Sequence, residues 1–219
     1  MDTGRTPVAV LVSGRGSNMA ALIEAAKAPD YPAEIVLVIS NRPGAGALDT
    51  AAAAGIATSV IDHKAFASKA EFEAAVAEAI EASGAQFVCL AGFMRVLSGA
   101  FVDRFAGRIL NIHPSLLPSF KGLDTHERAL AEGVRIHGCS VHLVSAELDA
   151  GPLVMQAAVP VLDGDTADTL AARVLACEHR IYPAALAALA SGAARLVDGR
   201  VWYASAAEPA APLIWPASG

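Results

Sequence analysis

Cysteine is scarce in this chain of 219 residues. Cys89, Cys139 and Cys177 are the only three, they lie far apart, and no C-x-x-C spacing occurs. An odd count without pairing spacing excludes a disulfide framework and reads as reduced, buried thiols. Long apolar runs are missing too. The longest candidate, Ile181 to Ala194, is interrupted by Pro183, Ser191 and Gly192. Nothing approaches the roughly 20 apolar residues a membrane-spanning helix needs. The opening Met1-Asp2-Thr3-Gly4-Arg5 lacks the charged-then-apolar build of a signal peptide. Basic residues are outnumbered, 16 Lys+Arg against 22 Asp+Glu, for a net charge of −6. That balance argues against nucleic acid as the main partner, while leaving room for one local site for a small anion. His63, His126, His137, His142 and His179 form no metal-ligand spacing, so no metal is expected. These absences point to a soluble, cytoplasmic protein acting on small molecules.

What is abundant is alanine, 49 of the 219 residues, and it accounts for much of the 54% hydrophobic content through small-residue helices. Short β-branched runs alternate with helical patterns. Val8–Val12, Ile35–Ile39, Phe87–Ala91 and Arg108–Ile112 read as strands, the first a continuous apolar run as expected of a strand buried on both faces. Helices are predicted over 18–28, 48–55 and 69–83; in the last, Phe72, Val76, Ala79 and Ile80 share one face and Gly84 is placed to end it. Strands alternating with helices imply βαβ units, hence an α/β fold with a doubly wound, mostly parallel sheet and helices on both faces. Further on, Ser140–Val144 and Leu153–Val159 read as two strands joined by a long hairpin loop. A long helix follows, capped by Asp163–Thr166 and carrying Leu170, Val174, Cys177 and Ile181, and 196–203 reads as a last strand or hairpin. The organisation is one domain over 1–203 with an Ala/Pro-rich tail over 204–219.

Ligands of open parallel sheets bind beyond the carboxyl ends of strands, and unusual residues cluster at those places. Ser13-Gly14-Arg15-Gly16-Ser17-Asn18 follows the first strand and opens a helix, where backbone amides suit an anion. A structural turn with Ser17 or Asn18 as helix cap is the other reading. A P-loop is excluded because Gly-Lys-Ser/Thr is absent. A dinucleotide fingerprint is disfavoured by Met19 at its third small position, and by Ser40-Asn41-Arg42 where an acidic residue belongs.

Asn111-Ile112-His113-Pro114 ends a strand. Alternation puts Asn111 and His113 on one face, and Pro114 holds His113 extended. An uncharged amide suits a developing oxyanion and an imidazole suits proton transfer. Leu117-Pro118 is a candidate cis bond in a tight turn. Asp149, in the loop Glu147-Leu-Asp-Ala-Gly-Pro152, is either an ordinary turn residue or the carboxylate that favours the imidazolium at His113. No activated Ser or Cys stands in a nucleophile elbow, so direct transfer is more economical than a covalent intermediate. Leu90–Leu97 is either a strand-to-helix connection or the lining for a flat aromatic ligand, and Glu178 lies on the edge of the long helix's apolar stripe.

In order along the chain, the stretches at 13–18, 90–95, 111–118, 147–152 and 178–183 (the last Glu-His-Arg-Ile-Tyr-Pro) resemble the phosphoribosylglycinamide formyltransferase family of folate-dependent formyltransferases. The resemblance implies that fold, and formyl transfer from 10-formyltetrahydrofolate as co-substrate to the amine of glycinamide ribonucleotide in purine synthesis, in a monomer or homodimer. By the family's pattern Asn111 binds the formyl oxygen, His113 donates a proton and Asp149 acts on His113. Gly16, Ser17 and Asn18 hold the phosphate and Glu178 the ribose. Met94, Arg95, Val96, Leu97, Asn111, Ala146 and Glu147 meet the folate, with Lys69 at its glutamate end. The chain departs from the pattern at Ala150, where glycine is frequent, at Asp124, where relatives can carry histidine, and at Lys69 in place of arginine. The nearest alternative within the group is a formyltetrahydrofolate hydrolase or another formyltransferase.

Overall fold

Seven strands form the central sheet of the computed structural model, which describes residues 4–205. Residues 1–3 and 206–219 lie outside the described residues, and with them nearly all of the tail. In chain order the elements of the first half are β1 (Thr6–Val12), α1 (Ser17–Ala26), β2 (Ala33–Ser40), α2 (Gly46–Ala53), β3 (Ala57–Val60), α3 (Lys69–Ala82), β4 (Phe87–Leu90), α4 (Gly99–Arg104) and β5 (Ile109–His113). The second half comprises α5 (Thr125–Ala131), β6 (Ile136–Leu143), β7 (Leu153–Pro160), α6 (Ala167–Ala190) and a hairpin of β8 (Ala194–Val197) with β9 (Arg200–Tyr203). The sheet order is β3-β2-β1-β4-β5-β6-β7. β3, β2, β1, β4 and β5 are mutually parallel, β6 is antiparallel to β5, and β7 is antiparallel to β6. The doubly wound, mostly parallel sheet expected from the sequence is therefore present.

Alternation along β1 explains the two layers. Val8, Val10 and Val12 pack under α1, α2, α5 and α6, while Ala9 and Leu11 face α3 and α4, and all five are fully buried. Ala47 and Ala51 are fully buried where α2 packs into the core, so the alanine content becomes close helix-to-sheet packing. The second layer is aromatic, built on Phe72, Phe101 and Phe105.

Several elements differ from the sequence-based expectation. β3, α4 and α5 carry no clear periodic signal. β3 is an edge strand with mostly exposed side chains, and the two helices have only six and seven residues. α2 starts two residues before Leu48, at Gly46, and β6 starts at Ile136 rather than Ser140. The 194–203 segment is a separate two-stranded sheet, not part of the main one. Leu117-Pro118 is cis.

The strand order reverses direction between β1 and β4, so the chain segments leaving these two strands diverge and leave a crevice. α6 braces that edge from below. The fully buried Tyr182 hydroxyl shares its proton between the carbonyls of Leu90 (3.0 Å), at the end of β4, and Leu110 (3.1 Å), within β5. Tyr182→Phe leaves both carbonyls short of a donor in a water-free place. It is expected to cost about 1–3 kcal/mol, read as a lower urea midpoint at unchanged slope; an unchanged midpoint would show that the bridge contributes nothing.

Candidate functional site

The crevice at the strand reversal is an open cleft of about 180 Å³, with Gly14–Asn18 on one wall and Ala91–Gly92 on the other. Gly16 caps α1 with φ 74°, and a Cβ there would lie 2.6 Å from that of Ala47, so only glycine fits between α1 and α2. No side chain caps α1 and no acidic residue occupies its first turn. The unpaired amides of that turn, with the exposed Ser17 hydroxyl, therefore face the cleft as anion donors. Asn18 Nδ2 donates to Glu178 Oε2 across 2.7 Å, and Asn18 Oδ1 is buried without a partner among the described residues. Glu178 is buried, and burial pushes its carboxyl above the usual carboxylate range.

Beside this cleft four polar side chains form a connected chain. Asn111 Nδ2 donates to His142 Nε2 (3.2 Å), His142 Nε2 faces Asp149 Oδ1 (3.8 Å), and Asp149 Oδ2 faces His113 Nδ1 (3.5 Å). The three ionisable members are at most 8% exposed, so water screens their charges weakly. The far side of His113 is also engaged, Nε2–H donating to the Phe120 carbonyl at 3.0 Å. Asp149 takes a left-handed backbone conformation, φ 48°, and Oδ2 accepts from the Gly122 amide at 2.9 Å. An aspartate tolerates that conformation better than most residues, and the strain it stores is held by the surrounding bonds.

Ala150 causes no difficulty, because it is not among the residues with positive φ. Gly151 is the position that admits no side chain, since a Cβ there would lie 1.7 Å from the Leu143 carbonyl oxygen. Asp124, at φ 55°, precedes the first residue of α5.

His142 escaped the sequence reading, although it lies directly opposite Asn111 in the antiparallel pairing of β5 and β6. Its Nδ1–H donates to the Leu143 carbonyl (3.0 Å), and burial pushes the imidazole down toward the neutral form. A neutral ring with its proton on Nδ1 keeps a lone pair on Nε2, and that lone pair fixes which way the Asn111 amide turns.

The residues expected at the folate are spread along the rim. Met94 and Val96 are each 64% exposed, whereas Arg95 and Leu97 turn inward, the Arg95 guanidinium lying 5.5 Å above the Phe72 ring. Ala146 and Glu147 are exposed on the β6–β7 loop, where Glu147 pairs with Lys121 at 3.0 Å. A second cleft of about 230 Å³ opens there onto Asp149, between Leu117–Lys121 and the loop. Lys69, half exposed on α3, is held 3.7 Å from Glu73. Among the described residues, no group of three or more His, Cys, Asp or Glu is placed to hold a metal ion, and no helix is long and apolar enough to cross a membrane.

Comparison with known proteins accords with this geometry. Residues 6–186 match the Formyl transferase family. Phosphoribosylglycinamide formyltransferase of Escherichia coli K12 is 45% identical over 195 residues, covering 89% of this chain and 92% of that protein. The trifunctional purine biosynthetic protein adenosine-3 of Gallus gallus is 53% identical over 90% of this chain, which spans only 20% of its length. The crystal structure of phosphoribosylglycinamide formyltransferase from Brucella melitensis superposes with a TM-score of 0.83 at 58% identity, covering 86% of this chain and 97% of that one.

Behind the site, burial and the neighbouring His126 ring push the buried His137 imidazole from 6.5 down to about 4, against a hydrogen bond to the Pro114 carbonyl; the more distant His113 pushes the same way. The unfolded chain therefore takes up a proton near pH 6.5 that the folded chain refuses until about pH 4. Stability is full above that window and falls as pH drops through it. His126 and His142, also lowered by burial, act in the same direction. Urea midpoints measured between pH 7 and 5 should fall in the wild type and fall less steeply in His137→Gln; equal slopes would contradict the assignment.

Proposed function

The chain belongs to the formyl transferase family, within its phosphoribosylglycinamide formyltransferase branch, and on that premise we propose that it transfers the formyl group of 10-formyltetrahydrofolate to the amine of glycinamide ribonucleotide in purine synthesis. The observation that carries this reading is the buried chain Asn111–His142–Asp149–His113 beside an uncapped helix N-terminus. It supplies an amide donor, a protonatable ring and a site for one phosphate, which are the groups this reaction needs.

Attack of the ribonucleotide amine on the formyl carbon creates a tetrahedral centre with a negative oxygen. Asn111, oriented by His142, offers the second N–H of its amide to that oxygen. Collapse then expels the folate nitrogen, which must gain a proton as the incoming amine loses one. The balance requires a single proton carrier and no net acid or base. His113 fills that role. Asp149 at Nδ1 fixes the ring and balances its charge when protonated.

The ribonucleotide phosphate lies on the amides of Gly16, Ser17 and Asn18, with Glu178 beneath receiving the ribose hydroxyls. The folate lies along Met94–Leu97, Asn111 and the Ala146–Glu147 segment, its glutamate end toward Lys69. Arg95 and Leu97 contribute through their backbone, because their side chains turn inward. Residues 1–203 act as one catalytic unit in the cytoplasm, as a monomer or homodimer, without nucleic acid, membrane or metal.

Purified protein given 10-formyltetrahydrofolate and glycinamide ribonucleotide should place the formyl group on the ribonucleotide amine without added metal or ATP. Steady release of formate in the absence of acceptor would instead indicate a hydrolase. His113→Ala and Asp149→Asn should each lower kcat by about a hundredfold or more, with ribonucleotide affinity retained. Near-wild-type turnover in both would remove them from the proton-transfer step.

A further inference from the structure

One carboxylate stands where the helical pattern calls for a hydrophobic residue. Glu73 lies on the inward face of α3 among Phe72, Val76, Ala77 and Ile80, and is only 6% exposed. A buried charge is costly unless it is hydrogen-bonded. Glu73 Oε1 accepts from the Ser98 amide at 2.9 Å, Oε2 accepts from the Ser98 hydroxyl, and Lys69 Nζ lies 3.7 Å away. Ser98 is the N-cap of α4, its Oγ accepting from the Phe101 amide, and it closes the 91–98 loop.

That loop is tied at two further points. Near its start, the Met94 amide donates to Ser13 Oγ at 2.9 Å, and Ser13 in turn donates to Asn41 Oδ1 at 2.6 Å. In its middle, Arg95 lies over Phe72, the neighbour of Glu73 on the same helix. Between these ties Met94 and Val96 project outward, and the Arg95 Nε is buried without a partner among the described residues. The segment is thus a short irregular stretch held on a polar anchor, with Met94 and Val96 exposed on its outer side.

We propose that Glu73 is the positioning residue of the folate subsite: through its two-oxygen grip on Ser98 it sets where Met94–Leu97 is presented, without touching either substrate. This rests on the folate reading above. A glutamate serving only the stability of α3 would affect both substrates alike. A glutamate anchoring this loop at Ser98 affects the folate far more than the ribonucleotide, because the anion donors of the ribonucleotide cleft come from the β1–α1 turn and only Ala91 and Gly92, at the end of the loop away from Ser98, line that cleft.

The test uses the full chain and calorimetric titration of each substrate separately, beside steady-state kinetics. Glu73→Ala should weaken 10-formyltetrahydrofolate binding about tenfold and raise its KM equally, with kcat at saturating folate and ribonucleotide affinity near wild type. Glu73→Gln, which still accepts from the Ser98 amide, should recover most of the loss. Should Glu73→Ala fail to fold, Ser98→Ala removes one arm of the same grip and should weaken folate binding about threefold. Unchanged folate affinity in the folded variants, or equal weakening of both substrates, would overturn the proposal. A wild-type chain that binds no folate would overturn the functional reading itself, before any variant is compared.

Discussion

The Asp149 carboxylate is the interaction on which the site depends. It belongs to the β6–β7 loop, yet its two oxygens reach His113 at the end of β5, His142 on β6 and the Gly122 amide ahead of α5. Four segments are therefore held by one side chain on a left-handed backbone. A carboxylate this deeply buried needs hydrogen-bond partners, and it finds one in the Gly122 amide, while the shielding from water strengthens its effect on the two rings it faces. The Gly151 backbone, pressed against the Leu143 carbonyl, keeps the loop from relaxing away.

Around that carboxylate the fold brings together two candidate binding regions from loops that leave the adjacent strands β1 and β4 in opposite directions. The phosphate-suited wall comes from the β1–α1 turn, and the apolar rim comes from the β4–α4 loop. Ser13 joins them by accepting from Met94 while it donates to Asn41. The acidic character of the chain, −6 overall, is compatible with an anion site because the donors are backbone amides, which need no basic side chain.

The sheet was legible where burial dictated composition. Val8–Val12 of β1 is apolar without interruption because both its faces are covered, and Ile35–Ile39 of β2 and Phe87–Leu90 of β4 follow the same logic. β3 pairs on one side only, so its letters Ala-Thr-Ser-Val carry no such signature. α4 and α5 are too short to show a period, and α4 depends on the Ser98 cap and its Glu73 partner. Of the site, Asn111, His113 and Asp149 stood out through their special neighbours, proline after one and a Gly-Pro loop around the other. His142 and Glu73 did not, because each lies inside a regular element and is distinguished only by what it faces.

By itself the sequence determined the α/β class, the places where strands end in glycine, asparagine or proline, and the family that those stretches mark. These are local properties, fixed by which residues tolerate a buried strand, a tight turn or a helix start. The tertiary structure decided which strand ends become neighbours, and so turned separate clusters into a connected chain of side chains. It also decided how individual side chains turn: Arg95 inward over Phe72, Asn111 toward His142, Glu73 onto Ser98. Such choices belong to pairs of residues distant along the chain, and they are made by packing and by the requirement that buried polar groups find partners.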